Sequence, residues 1–516
     1  MDQFISKHRE SIAGVLSGWD RLVLRGTYRV LAATSGMMYY LTTKGIKFRE
    51  FMDHGKAMTA TLLDASYAAA RRMERPCVYL ESSRENKEER ALSILRDSPV
   101  AKGLVCILSC VEPCRTYEIG RNAEKQSPEL KSKLGKCLHL YHYYLHPHFG
   151  WMNARIQTWF PFSVQICLNG REWLARRMDK AGLKYERYDN CFPWIEDFPR
   201  AQCLMNGLLR LNWSQFLDSI AKCLNPAAGR MFKSFPVSYY WSAYQSEWAT
   251  DIAFGSHQAL ASIYPQLVWG GITNFSSSDV MRFLGRRYNG RFCGEIVSDF
   301  KDRPEGIRVK HQVNGNSVKL YDKGPNILRP EVTINNPRDL KVYRASEDNP
   351  EGPKKWLRMR KGIADLPRRA EISRKTNERY LDALARLDTT TQLQDLFSDV
   401  SRPCKHNGKI IRPLRVWTTE DQALLEAINR PEFLIAGFRN RDLARLLYPG
   451  AETTPASRRS AAARVSYRIR ILRGHRLIGK LSRTRRYRIT EKGHDIATAA
   501  ITSQKVTVQQ LANAAA

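Results

Sequence analysis

The sequence has no long apolar run, and residues 1–14 alternate polar and charged positions without an apolar core. A membrane-spanning helix and a signal peptide are therefore not expected, and we expect a cytoplasmic protein. An amphipathic basic terminus is also missing, which argues against a membrane-surface anchor. The 11 cysteines are odd in number and scattered over 516 residues, which argues against a disulfide framework and for reduced thiols.

Acidic residues are too few to balance the basic ones. The chain has 83 Lys and Arg but 51 Asp and Glu, and the net charge of +32 is spread over several segments. Such an excess favours a polyanionic partner. Duplex DNA is the partner we expect, RNA is the second choice, and no membrane partner is expected. The sequence has no Gly-rich phosphate loop, so it offers no nucleotide-binding fingerprint.

The segment Pro455–Thr490 carries twelve Lys or Arg residues and no acidic one. Its pattern predicts a helix over Arg458–Gly474 and then two short strands around a basic tip. Upstream, Thr419 begins a predicted first helix and Asn440 caps a second. This order resembles the winged-helix variety of helix-turn-helix domain, including the MarR-type bacterial regulators. The resemblance implies a recognition helix in the major groove, with these arginines on the helix and the tip: Arg458, Arg459, Arg464, Arg468, Arg483, Arg485 and Arg486. A winged helix that binds only protein is the alternative.

The patterns along the whole chain predict an α+β multidomain protein. The predicted parts are an N-terminal α/β domain (1–225), an aromatic-rich helical segment followed by an antiparallel sheet (226–345), a basic helical connector (346–417), the winged helix (418–500) and a tail (501–516). Within the first domain, Asn169 and Glu172 predict the capped start of a helix over Gly170–Ala181. The oligomeric state is not predictable from the sequence.

Residues 306–343 give the clearest sheet signal, because two alternating stretches flank an Asn314-Gly315 turn and a second turn at Lys323–Asn326 leads to a third stretch. One face of these strands is apolar. The other face is predicted to be a cationic platform with one phenol and one carboxylate, formed by Arg308, Lys310, Lys319, Tyr321, Arg329 and Glu331. An ordinary solvated face with a half-buried tyrosine is the alternative.

Three longer stretches, Asn153–Phe162, Tyr239–Ile252 and Val318–Arg344, resemble a large family of bacterial proteins of the mobile-element type that has no established reaction. A shorter stretch, Lys319–Lys323 followed by Arg329-Pro330-Glu331, resembles the replication initiators of phages and plasmids, which nick DNA with a tyrosine. The second resemblance implies that Tyr321 is a nucleophile and that Glu331 assists it. Pro330 departs from that pattern, because a proline inside a strand indicates an edge or a bulge.

Tyrosine-based nicking also implies a divalent metal ion, Mg or Mn. His142, His146 and His148 are weak metal candidates, since Pro147 interrupts the strand that the histidine signature needs. Cys106, Cys110 and Cys114 are too far apart in an extended strand to share a metal ion. A carboxylate site for two metal ions is an alternative, with Glu247 and Asp251 predicted to lie one helical turn apart.

The leading hypothesis is a nucleic-acid-binding protein of mobile-element type, in which the winged helix locates DNA and the central sheet face grips or nicks it, as in a replication initiator or transposase. The first alternative is a non-enzymatic transcriptional regulator with a winged helix. The second is an RNA-binding protein whose aromatic side chains stack on bases. Whether the chain is an enzyme, here a metal-dependent DNA endonuclease or strand transferase, stays open at this stage.

Overall fold

The structure is a computed structural model that describes residues 1–122, 124, 126–273, 275, 277–286, 295–303, 306–346, 349–387, 393–430, 433, 437–450, 454–481 and 484–505. The chain divides into two compact units. Unit 1 comprises Met1–Val268, Phe283–Arg286 and Cys293–Ala383, and unit 2 comprises Trp269–Arg282, Arg287–Phe292 and Leu384–Ala516. The boundaries predicted near residues 225 and 345 both fall within unit 1.

The described strands are β1 (Ile12–Tyr28), β2 (Cys77–Tyr79), β3 (Gly103–Arg121), β4 (Pro128–His146), β5 (Gly150–Gln157), β6 (Val164–Asn169), β7 (Tyr185–Tyr188), β8 (Cys191–Ile195), β9 (Tyr239–Phe254), β10 (Ile296–Arg303), β11 (Gly306–Val313), β12 (Asn316–Lys323), β13 (Ile327–Ile334), β14 (Lys341–Arg344), β15 (Lys355–Arg358), β16 (Cys404–His406), β17 (Lys409–Ile411), β18 (Ile478–Lys480) and β19 (Tyr487–Ile489). The described α-helices are α1 (Asp2–Lys7), α2 (Arg29–Ala32), α3 (Thr34–Thr43), α4 (Phe51–Arg72), α5 (Lys87–Asp97), α6 (Gly170–Ala181), α7 (Phe198–Asn206), α8 (Trp213–Leu224), α9 (Ala228–Met231), α10 (His257–Thr273), α11 (Ser277–Phe283), α12 (Leu366–Leu387), α13 (Leu393–Ser398), α14 (Thr419–Ile428), α15 (Asn440–Leu447), α16 (Pro455–Gly474) and α17 (Glu491–Lys505).

An 11-stranded sheet organises unit 1, with the strand order β10-β11-β12-β13-β9-β1-β6-β5-β4-β3-β2. All neighbours are antiparallel except β2 and β3. The predicted N-terminal α/β domain and the predicted central sheet therefore share one continuous sheet. Strand β9 joins them, because it pairs with β1 on one side and with β13 on the other.

The prediction that the aromatic-rich segment is helical throughout was wrong, because Tyr239–Phe254 is strand β9. The pairing with β1 skips Tyr244, which is a β-bulge. A bulge shifts the alternation by one residue, so Trp241 and Trp248 are both buried although seven residues separate them. That spacing imitates a helical face in the sequence. Only the long-range pairing with β1 and β13 distinguishes the two structures.

Helix α12 packs on the apolar face of the sheet over β9, β11 and β13. The Asn377 amide donates to the backbone oxygens of Trp248 (3.4 Å) and Pro330 (3.1 Å), both in the sheet. A proline in a strand indicates an edge, but Pro330 does not lie at one. It occupies β13 between two neighbours, where the pairing to β9 lapses over residues 329 and 330 and the Asn377 side chain satisfies the proline carbonyl.

Helix α6 begins as the sequence predicted. The Asn169 side chain accepts hydrogen bonds from the backbone N–H groups of Arg171 (2.7 Å) and Glu172 (3.2 Å), and the helix ends at Gly182 in the left-handed conformation (φ 64°). This cap satisfies N–H groups in the first turn of α6, which contains Arg171.

Gly170 brings the start of α6 against the backbone of β1. A Cβ added there would lie 1.8 Å from the Trp19 carbonyl oxygen. We expect Gly170→Ala to lower the free energy of unfolding by about 1–3 kcal/mol, because the helix must move away from the strand. Urea unfolding followed by circular dichroism measures the change. Gly207→Ala is the control, since nothing lies within 4 Å of its added Cβ; an equal loss in both variants would contradict the close approach.

Unit 2 contains α14, α15 and α16, followed by the paired strands β18 and β19 and by α17. Phe438, just before α15, forms an antiparallel bridge with Tyr487 of β19. The three helices pack around a shared apolar core that includes Leu424, Val465 and Leu472. The bounds agree with the predicted helices and hairpin within a few residues. Helix α17 extends into the predicted tail, whose residues 506–516 lie outside the described part.

Among the described helices, none combines the length and the hydropathy needed to cross a lipid bilayer.

Candidate functional site

The sheet register brings the predicted platform residues to one face of unit 1. Tyr321 lies opposite both Arg308 of β11 and Arg329 of β13, and Lys319 lies opposite both Lys310 and Glu331. Glu247 and Asp251 are also on this face. They are on strand β9 and not on a helix, but residues four apart still share a side because strand side chains alternate with a period of two. We call this surface the polar face.

Two residues of the predicted cationic platform, Arg329 and Glu331, are both buried. The Arg329 guanidinium contacts both carboxylate oxygens of Asp251, at 2.5 Å from Nε to Oδ1 and 2.8 Å from Nη2 to Oδ2. Its Nη1 lies 3.4 Å from Asp20 Oδ1, and Nη2 donates to the Asn190 backbone oxygen at 2.7 Å. Arg329 is therefore bound within the protein and is not presented to an external phosphate.

A second buried arginine completes this cluster. Arg171 Nη2 lies 3.0 Å from Asp251 Oδ2, and its Nε lies 3.7 Å from Asp20 Oδ1. Two guanidinium groups thus face two carboxylates, and their charges cancel. Burial acts to raise the pKa of Asp251, but Arg171 and Arg329 hold it below its usual value. Burial raises the pKa of Asp20, against the attraction of Arg329. Both oxygens of Asp251 are engaged, which argues against its predicted role as an open metal ligand.

Sequence reasoning missed the arginine and the amide that complete this cluster, Arg171 and Asn190. Asp20, the second carboxylate of the cluster, lies in strand β1. In the structure it sits at a second bulge, because Trp19 pairs with Trp248 while Arg21 pairs with Glu247. No local pattern indicates which distant strands and helices will meet at such a bulge.

Tyr321 and Glu331 are in direct contact. The Tyr321 hydroxyl donates to Glu331 Oε2 at 2.6 Å, and Lys319 Nζ lies 2.7 Å from Oε1. Burial and the Glu331 charge raise the pKa of Tyr321 well above its usual value, so the phenol is neutral at pH 7. Burial acts to raise the pKa of Glu331, but Lys319 and the Tyr321 hydrogen bond lower it. The result is a partly exposed phenol whose proton points at an ionised carboxylate.

Glu247 shares this neighbourhood. The Gln245 amide donates to its Oε1 at 2.8 Å. Burial raises the pKa of Glu247 above 4.5, and repulsion from Glu331 adds to the effect. Ionised Glu247 therefore destabilises the fold at neutral pH.

We expect Glu247→Gln to raise the free energy of unfolding at pH 7 by less than about 1 kcal/mol, since the carboxyl is partly exposed. An acid whose folded pKa is raised contributes stability below its unfolded pKa and loses it as the pH rises through the folded value. The gain from the glutamine should therefore vanish below pH 4.5. Urea unfolding across pH 4 to 8 measures it. Exposed Glu10→Gln is the control. If Glu247→Gln remained more stable than the wild type at pH 4, the raised pKa assigned to Glu247 would be contradicted.

The polar face continues beyond β9 onto strands β1, β6, β5 and β4. Arg25 lies opposite Gln165, Gln165 lies opposite Arg155, and Arg155 lies opposite Tyr141. The bulged Tyr244 is 49% exposed, and the Arg25 guanidinium lies 5.3 Å from its ring centroid. Partly exposed cations and an accessible ring therefore occur together on one sheet surface. Arg308 adds a buried Nε that lacks a hydrogen-bond partner among the described residues.

The candidate metal ligands lie elsewhere. His142 is buried, which lowers its pKa to about 3. His146 Nδ1 accepts from the backbone N–H groups of His148 (3.1 Å) and Phe149 (3.3 Å), so it caps a turn. Within the part of the chain that the structure describes, no three His, Cys, Asp or Glu side chains are placed to hold a metal ion. Binding of Mg or Mn stays a prediction. The three cysteines of β3, Cys106, Cys110 and Cys114, are buried free thiols.

The basic residues of unit 2 divide into two groups. Arg458, Arg459 and Arg464 are exposed on α16, and Arg485 is exposed before β19. Arg468 is instead held internally, because its Nη1 donates to the Glu420 backbone oxygen at 2.8 Å and its Nε donates to the Tyr448 hydroxyl at 3.1 Å. Arg486 is partly buried. The predicted contact Arg483 lies outside the described residues.

The chain was also compared with known proteins. No family model, no curated protein and no solved structure matches it.

Proposed function

We propose that this chain is a nucleic-acid-binding protein of the mobile-element type, in which unit 2 holds duplex DNA as a winged helix. The exposed arginines of α16 carry the proposal. Arg458, Arg459 and Arg464 are exposed on a helix that lies in a sequence segment, Pro455 to Thr490, without an acidic residue. Such a surface repels itself unless a polyanion lies against it.

The order of elements in unit 2 supports the same proposal. Three helices are followed by a two-stranded hairpin, and Phe438, which precedes α15, pairs with Tyr487 of that hairpin. Helix α16 begins at a capped Thr454 with Pro455 in the first turn, so its N-terminal end is well defined. In a winged helix, this third helix enters the major groove and the hairpin contacts the backbone.

Neutralising the exposed arginines of α16 tests the duplex site. We expect the triple variant Arg458→Gln, Arg459→Gln, Arg464→Gln to bind a mixed-sequence duplex at least about tenfold more weakly at low salt. The salt slope of log K should become shallower by about one unit per lost phosphate contact. Fluorescence anisotropy over a range of salt concentrations measures both quantities.

A matched control removes the same charge from another surface of unit 2. Arg402, Lys405 and Lys409 are exposed around the hairpin of β16 and β17. Replacing these three with Gln should leave the duplex affinity within about twofold of the wild type. Equal losses in the two triple variants would show that only net charge matters and would remove the proposed recognition helix.

The polar face is proposed to hold a single strand that the duplex-binding unit supplies. Two of its partly exposed cations, Arg308 and Lys310, can neutralise phosphates, and Tyr244 can stack on a base. A regulator that only binds duplex has no need of this surface. A preference for single-stranded RNA over duplex DNA would favour the RNA-binding alternative instead.

Strand cleavage at Tyr321 is a second candidate function, favoured by its 2.6 Å hydrogen bond to Glu331. The Tyr321 oxygen would attack the phosphorus of a phosphodiester while its proton passes to Glu331. The bond from phosphorus to one sugar oxygen would break, and that oxygen would take a proton from solvent. The products are a strand with a free hydroxyl and a strand joined to the protein through phosphotyrosine. Lys319 lies beside the carboxylate that receives the proton.

A further inference from the structure

A cavity of about 400 Å³ opens on the polar face of unit 1, away from Tyr321. Strands β1, β3, β4, β5 and β6 contribute to its wall. Its polar lining is dominated by cations and hydrogen-bonding side chains: Arg25, Arg115, His139, Arg155, Ser163 and Gln165. The volume falls in the range of small-ligand sites.

Positive charge in this cavity exceeds negative charge. Arg155 Nη1 lies 3.0 Å from Glu112 Oε2, but Lys87 shares that carboxylate, with its Nζ 3.2 Å from Oε1. Arg25 has no carboxylate partner among the described residues. Arg115 is exposed at the rim. The groups around the cavity therefore leave a surplus of positive charge.

The electrostatics of Arg25 favour an anionic ligand. Burial lowers the pKa of Arg25, and the neighbouring Arg155 guanidinium lowers it further. A partly desolvated guanidinium near a like charge is stabilised by an anion that binds beside it. His139 does not supply a charge, since burial and Arg155 lower its pKa to about 4 and it is neutral at pH 7.

We infer that this cavity is a phosphate-binding site that takes a terminal phosphate monoester of a nucleic acid on the polar face. A monoester carries close to two negative charges at pH 7, which suits a cavity with surplus cations better than a singly charged diester does. Guanidinium groups bind phosphate oxygens through paired N–H donors. The assignment of the phosphate to a nucleic acid rests on the proposed function; the anion site itself does not.

Two sets of titrations by isothermal calorimetry test the inference on the full chain. The first uses inorganic phosphate at constant ionic strength. The second uses a short single-stranded oligonucleotide with a 5′-phosphate, with a 3′-phosphate, or with neither. The variants are Arg25→Gln and Arg115→Gln, and Arg25→Lys tests whether charge alone suffices. The control is Arg176→Gln, an exposed arginine on α6 that does not line the cavity. Arg115 is exposed, so its variant stays informative even if Arg25→Gln folds poorly.

We expect wild type and Arg176→Gln to bind inorganic phosphate, and Arg25→Gln and Arg115→Gln to bind it at least about tenfold more weakly. A terminal phosphate at one end should strengthen oligonucleotide binding by a similar factor in wild type only. Phosphate binding without any preference for phosphorylated strands would overturn the nucleic-acid assignment. Absence of phosphate binding by the wild type, or equal phosphate binding by Arg25→Gln and the wild type, would overturn the anion site. Binding of strands without a terminal phosphate would still agree with the proposed function in that case.

Discussion

We expect Arg329→Met to lower the free energy of unfolding by about 3–5 kcal/mol relative to the wild type. Arg329 is fully buried and contacts both oxygens of Asp251. Removing it leaves two buried carboxylates against the single guanidinium of Arg171. Urea unfolding at pH 7 measures the loss, and exposed Arg338→Met serves as a control that should stay within about 0.5 kcal/mol.

A double variant separates lost packing from unpaired charge. Arg329→Met with Asp251→Leu leaves one guanidinium and one carboxylate, Arg171 and Asp20, which lie 3.7 Å apart. We expect the double variant to be at least about 2 kcal/mol more stable than the sum of the single changes predicts. Additive losses would show that the four groups do not act as one charge-balanced cluster.

The second large effect concerns the reaction proposed for Tyr321. If strand cleavage occurs, Tyr321→Phe should abolish the covalent protein–DNA adduct altogether, because the nucleophilic oxygen is gone. Glu331→Gln should slow adduct formation by about 10²–10⁴-fold, since it removes the proton acceptor. The assay incubates supercoiled DNA with the full chain, with Mn²⁺ or with a chelator, and separates adducts on a denaturing gel.

Tyr380→Phe is the control for the tyrosine substitution. Its phenol is buried, and it contacts His311 at 3.2 Å on the apolar side of the sheet. Adduct formation by this variant should equal that of the wild type. Adducts that survive in Tyr321→Phe would remove this tyrosine from the mechanism, and an absence of adducts in every variant would leave binding as the function of the polar face.

The sequence predicted best where local chemistry decides the structure. The cap at Asn169, the helices of unit 2 and the Asn314-Gly315 turn each depend on side chains and backbone within a few residues. The sharing of one face by Lys319, Tyr321 and Glu331 followed from strand alternation alone. These features need no knowledge of distant parts of the chain.

Prediction from the sequence failed where the pairing of distant segments decides the structure. The bulge at Tyr244 made a strand look helical, and the burial of Arg329 depends on Asp20, Arg171 and Asn190, which come from three other elements. The cavity around Arg25 likewise joins five strands. Such juxtapositions follow from the strand order, which neither periodicity nor composition specifies.

The most direct test of the central claim is the binding of the purified full chain to duplex and single-stranded oligonucleotides as a function of salt. A chain that neutralises phosphates with its net charge of +32 should bind at low ionic strength, and log K should fall linearly with the logarithm of the salt concentration. Failure to bind either form at about 50 mM salt, or an affinity that salt does not change, would contradict the account.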